Sequence, residues 1–112
     1  MSGHKSELLV DRKLWLHDKD NNLLGIIQIT IWLVDNPRYP DKVKYRLVFA
    51  KKVGENKFDG DFLRYDNEKW KGPHVHRQGK EFFYHYQGID KLIADFAGEI
   101  KAITGIDILK DL

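Results

Sequence analysis

The sequence predicts an α+β fold: an antiparallel meander of about five strands, with one C-terminal amphipathic helix packed on one face. Three observations carry this expectation. Runs rich in β-branched and aromatic residues, with alternating polarity, succeed one another up to about residue 86. Turn-forming clusters separate them: DKDNN (18–22), NPRYPD (36–41), GENKFDG (54–60) and the looser NEKWKGP (67–73). After residue 88 the apolar period switches from two to about 3.6. With no internal repeat and no linker, residues 1–112 are expected to form a single domain around one core.

The elements follow in order. A first strand is expected at 11–17. The second, at 24–34, places Ile27, Ile29, Ile31 and Leu33 on one face and Ile26, Gln28, Thr30 and Trp32 on the other. The third, at 43–52, sets Val43, Tyr45, Leu47 and Phe49 against Lys44, Arg46, Val48 and Ala50. The fourth, at 61–67, opposes Leu63 and Tyr65 to Phe62, Arg64 and Asp66. The fifth spans 74–86 with an interruption at Gln78-Gly79. The helix, at 89–104, aligns Ile89, Leu92, Ile93, Phe96, Ile100 and Ile103 on one stripe, and Gly105 stops it. Gly98, costly inside a helix, is expected to mark a close approach to the sheet.

The composition narrows the function classes. There is no cysteine, which removes disulfides and thiolate metal sites and fits a reducing cytoplasm. The N-terminal segment MSGHKSELLVDRK is too charged for a secretory signal. The most apolar run, residues 23–34, is far shorter than the ~20 residues of a membrane span, so no membrane partner is expected. Net charge is only +2, yet residues 64–80 gather five cations against two carboxylates. The rest of the chain is close to neutral. Any anion-binding patch is therefore centred on one stretch.

That stretch, RYDNEKWKGPHVHR (64–77), carries the chemistry. Arg64 and Asp66 share a strand face, as do His74 and His76 if their segment is extended. Pro73 favours such an extended start. A bare sheet face holding these four with Arg46 and Trp32 suits a phosphate and a base. Guanidiniums grip phosphate oxygens, indole offers a stacking surface, and imidazoles exchange protons near neutral pH. The expected reaction is RNA cleavage by acid–base catalysis. His74 and His76 are the acid/base candidates, Arg64 stabilises the phosphoryl oxygens, and Asp66 orients an imidazole or pairs with Arg64. Arg46, Arg77, Lys80 and Trp32 are the substrate-binding candidates. No cofactor and no metal ligand set is assigned. H-x-H does occur as a metal pair, and a metal-dependent hydrolase using His74 and His76 remains an alternative. So does a non-catalytic module that binds RNA or protein through the bare face. Two strand histidines are also as readily structural as functional, and Trp32 suits a homodimer contact as well as a base.

Arg64-Tyr65-Asp66-Asn67, followed by His74 and His76 and an aliphatic, acidic helix near 89–103, resembles the TumE-like family of toxin–antitoxin toxins. The resemblance covers about residues 43–103, and the first forty residues add nothing to it. It implies a small cytoplasmic toxin, a ribonuclease activity, and as partner an antitoxin with a DNA-binding domain.

Overall fold

The computed structural model describes residues 5–68 and 71–112; the first four residues and Lys69-Trp70, inside the expected 67–73 turn, lie outside the described residues. Six strands run in chain order as one antiparallel meander: β1 (Ser6–His17), β2 (Leu23–Val34), β3 (Val43–Gly54), β4 (Lys57–Asp66), β5 (His74–Arg77) and β6 (Lys80–Phe83). They are followed by α1 (Ile89–Thr104) and a short 3-10 turn, Leu109–Asp111. No helix among the described residues is long and apolar enough to cross a membrane.

The fold class stands, with one more strand than the sequence suggests. The expected fifth strand folds back on itself. Gln78 (φ 52°) and Gly79 (φ 82°) both adopt left-handed backbone, the combination that closes a tight hairpin, so 74–77 and 80–83 pair with each other. Residues 84–88 then leave the sheet. β1 begins five residues before the expected 11, because Ser6–Val10 carries no buried face and so shows no alternation. The GENKFDG cluster shrinks to a two-residue turn at Glu55-Asn56, with Asn56 at φ 57°, and β4 starts at Lys57. At the first turn the Asp18 carboxylate accepts the Asp20 and Asn22 N–H groups, each at 2.9 Å.

Alternation assigns the faces. Ile27, Ile29, Ile31, Val43, Tyr45, Leu47, Phe49, Leu63, Tyr65 and Val75 turn to one side and meet Leu92, Phe96, Ala97 and Ile100 of α1. Each fully buried Leu, Ile or Phe contributes about 1.5–3 kcal/mol. The helix stripe is thus shifted from expectation. Ala97 replaces Ile103, which is 49% exposed. Leu33 likewise extends past the core at 42% exposed. Gly98 faces solvent, and a Cβ there would meet nothing, so it marks no close approach. Gly25 is the close-packed glycine: a Cβ would fall 2.5 Å from the Ala50 carbonyl oxygen and 2.6 Å from the Phe49 ring.

Polar clasps fix α1 to this face. The Tyr84 hydroxyl donates to Asp95 at 2.7 Å, Tyr65 donates to Glu99, and Arg77 reaches Glu99 at 2.5 Å. Gly105 caps the helix in left-handed backbone (φ 80°), its N–H donating to the Lys101 carbonyl at 2.7 Å. All of this lies on one side of the sheet. Among the described residues, no helix covers the other side.

Candidate functional site

The register sets two transverse rows across the bare side. One runs Gln28, Val48, Arg64, His76, Glu81; the next runs Thr30, Arg46, Asp66, His74, Phe83. Because β5 returns antiparallel beside β4, Arg64 faces His76 and Asp66 faces His74. Two residues along a strand return to the same face, so the two rows stand about 7 Å apart. Strand alternation and pairing therefore bring together the four residues expected to form the centre.

Their side chains touch. His74 Nε2 lies 2.6 Å from Asp66 Oδ1, and its Nδ1 lies 2.7 Å from the Gly72 carbonyl. A carbonyl can only accept, so Nδ1 donates to it and Nε2 is the nitrogen turned to the carboxylate. Arg64 Nη2 lies 3.0 Å from His76 Nε2. A guanidinium can only donate, so this nitrogen offers its lone pair and the His76 ring is neutral. Burial lowers the His76 pKa below its ordinary value; repulsion from Arg64 and His74 adds to this, and Asp66 and Glu81 oppose it without prevailing. The two imidazole rings meet edge to face at 4.9 Å.

Arg64 is the hub. Its Nη1 pairs with Asp61 at 2.8 Å, and its Nε sits 3.0 Å from Asp66 Oδ2 at an angle that makes no hydrogen bond. Glu81 closes the cluster, with Oε1 at 3.4 Å from His74 Nε2 and 3.6 Å from His76 Nε2, while Lys71 holds it at 3.3 Å. His74 is buried, and His76 and Asp66 keep only an edge exposed.

Beside the cluster opens a cleft of about 950 Å³, at the upper end of the roughly 300–1,000 Å³ typical of small-molecule sites. Arg64 and Asp66 form its near wall, and Arg46, Lys44 and Trp32 continue it across β3 and β2. Arg46 and Trp32 thus both line the cleft.

Arg77 and Lys80 do not. They pair with each other one position out of phase with the histidines, so they lie on the helix side. Arg77 is engaged by Glu99 and stacks over Phe82 at 5.4 Å. The parity of 74, 76 and 77 contains this information, whereas a local charge count does not. The sequence does not single out Glu81 or Asp61, and it offers Asn67 only as the last residue of the RYDN motif. Glu81 reaches the cluster only through the tight hairpin at 78–79. Asn67, 6% exposed, accepts the Tyr45 N–H at 2.8 Å and donates to the Val43 carbonyl at 2.7 Å, fixing the end of β4 against β3.

Asp66, His74 and His76 present one ligand atom each within 4.8 Å of one another, a set with the chemistry to hold a divalent transition metal. His85, the other histidine near in sequence, is exposed and outside this group. In this arrangement the Arg64 guanidinium already occupies the His76 lone pair.

Comparison with curated proteins gives no match, and comparison with solved structures gives none. The toxin TumE family matches residues 6–104, which takes in β1 and β2 as well as the segment that carries the resemblance in the sequence, and on this match the chain belongs to the toxin TumE family.

Proposed function

We propose that the bare face cleaves RNA by acid–base catalysis, with the hydrogen-bonded Arg64–Asp66–His74–His76 cluster as the reacting centre. One observation supports this above the others: two imidazoles stand side by side, one against a guanidinium and the other against a carboxylate. His76 offers a lone pair at Nε2, and a proton between His74 Nε2 and Asp66 Oδ1, 2.6 Å apart, is the one the reaction would donate. His76 takes the proton of a ribose 2′-hydroxyl, and the 2′-oxygen attacks the adjacent phosphorus. The bond from phosphorus to the 5′-oxygen breaks, and that oxygen receives the proton held between His74 and Asp66. The products are a 2′,3′-cyclic phosphate and a 5′-hydroxyl. Arg64 caps His76 until a phosphodiester draws its guanidinium away, which frees the base and places positive charge where the phosphoryl oxygens gain negative charge. Arg46 and Trp32 contact the substrate from the cleft. The setting is the cytoplasm, and membership in a toxin family makes an antitoxin the expected partner.

A second reading has its own observation. The Asp66, His74 and His76 ligand atoms would suit a metal-dependent hydrolase. Against it, metal binding must first displace Arg64 from His76. The two readings separate in one experiment. Purified protein is incubated with cellular RNA in the presence of a chelator, and products are resolved by gel. Cleavage that persists in chelator and falls by about 10²–10⁴ in folded His76→Ala supports acid–base catalysis. Cleavage restored only by added divalent metal supports the hydrolase, and intact RNA under both conditions removes both.

A further inference from the structure

The cleft lies on one side of the reacting centre only. From the row of Arg64 and His76 it extends past Asp66 and Arg46 to Trp32 and Lys44, which face each other in the β2–β3 register. None of the residues that line it lies beyond Arg64 in the opposite direction, toward Phe62, Val48 or Gln28. An RNA strand crossing the centre therefore meets this cationic, aromatic cleft on one flank, while on the other Lys13 stands 5.3 Å over the exposed Trp15 ring, outside the cleft. The cation content is itself lopsided: Lys5, Lys44, Arg46 and Arg64 line the cleft against Asp66 and Glu68.

The two halves of the centre are not equivalent with respect to this cleft. Asp66, the partner of the proposed acid His74, lines it; His76, whose Nε2 faces Arg64, does not. In the proposed reaction the base must touch the 2′-hydroxyl of the nucleoside on the 5′ side. The acid must touch the leaving 5′-oxygen of the nucleoside on the 3′ side. The order of base, phosphorus and acid thus fixes the polarity of the strand over the sheet.

We infer that the cleft is the subsite for the 3′-side, leaving nucleotide of a single-stranded RNA, with its base stacked on the Trp32 indole and its next phosphate held by Arg46 and Lys44. This rests on the RNA-cleavage reading above and gives it a direction. From Asp66, Trp32 lies two strands across and one row along, about 12 Å by sheet spacing, within reach of a flanking base. Trp32 is half-buried and lines the cleft, so part of its side chain stays open to a base. Stacking on an indole accepts every base, so the subsite selects single strands over duplexes rather than one sequence over another. A duplex would keep its bases paired and away from the ring.

The test compares two substrates with the same 5′-side nucleoside. One is a dinucleoside monophosphate; the other is the corresponding nucleoside 3′-(4-nitrophenyl phosphate), whose leaving group has no base. The readout is the ratio of their kcat/KM values, which measures the contribution of the 3′-side nucleoside. Trp32→Ala is expected to lower that ratio roughly tenfold to a hundredfold, and Trp32→Phe to restore most of it. A purely structural role for Trp32 would depress both substrates together and leave the ratio untouched, which overturns the inference. So would a loss that follows extension of the substrate on its 5′ side. Failure of the wild-type protein to cleave either substrate defeats the RNA-cleavage reading itself, and is distinguished by needing no variant to be seen.

Discussion

Replacing Asn67 tests how the fold holds the site in place. β3 continues to Val43, but its pairing with β4 ends at Arg46 and Asp66. The Asn67 carboxamide takes over there, accepting from Tyr45 N–H and donating to the Val43 carbonyl, both in a buried setting. Asn67→Ala removes two hydrogen bonds, each worth about 1 kcal/mol net, and strands a buried donor and a buried acceptor at about 1–3 kcal/mol each. Partial hydration of the vacated space lowers the sum, giving an expected loss of about 2–4 kcal/mol. That is a large share of the 5–15 kcal/mol typical of a small domain. Urea unfolding followed by tryptophan fluorescence should show the midpoint falling by about 1–2 M at unchanged slope. Asn67→Asp sharpens the result, because it keeps an acceptor for Tyr45 but sets a carboxylate against the Val43 carbonyl, and it should be about as harmful. A loss under about 0.5 kcal/mol in both variants would refute the clasp, and with it the account of why Arg46 and Asp66 stay in register.

Gly25→Ala should destabilise by about 1–3 kcal/mol or more, because its Cβ would press on the Ala50 carbonyl and the Phe49 ring, neither of which is a flexible side-chain end. Thermal unfolding reads this directly, and an unchanged midpoint would mean that the strands separate there at little cost. The pH profile of cleavage should report His76. As the base it must be neutral, so kcat/KM is lost as the pH falls through its pKa, and burial, seconded by Arg64, places that limb below the usual ~6.5. Arg64→Gln removes a repelling charge and should move the limb upward as well as slowing the reaction. A wild-type limb above ~6.5 would contradict the placement of His76 among Arg64, His74, Asp66 and Glu81.

The legible parts of this protein are those written in short periods. Ile27, Ile29 and Ile31 announce their face by alternation, and Leu92, Phe96 and Ile100 announce theirs by helical spacing. Elements without a buried face were shortened or missed, as with Ser6–Val10, whose residues are almost all exposed. Turn positions carried a different ambiguity. Gly54 and Gly60 both look like punctuation, yet only Glu55-Asn56 turns, because Asn56 accepts left-handed backbone while Gly60 sits within β4. In the site, period two places Arg64 with Asp66 and His74 with His76, but nothing local says that the two pairs adjoin. That depends on β5 returning at a register set by the intervening turn. The same arithmetic that joins 74 to 76 excludes 77, and pooling charge over the whole stretch hid it.

The bare face also has an energetic signature that favours chemistry over mere solvation. Surface ion pairs that serve stability align their donors, and they do not use up a neutral base. Here Arg64, with its side chain only 22% exposed, has Nε near a carboxylate without a hydrogen bond and spends Nη2 on an imidazole that it would repel if that ring gained a proton. A partly buried guanidinium is costly to desolvate, and such a pairing recovers less of that cost than a second carboxylate would. On the helix side of the same sheet, Arg77 shows what the fold does when only stability is at issue: its Nε and Nη2 meet the two oxygens of Glu99. Two arginines, one satisfied and one held in an imperfect arrangement beside titratable partners, distinguish the face clasped to the helix from the bare face, and that contrast supports the acid–base reading proposed for the latter.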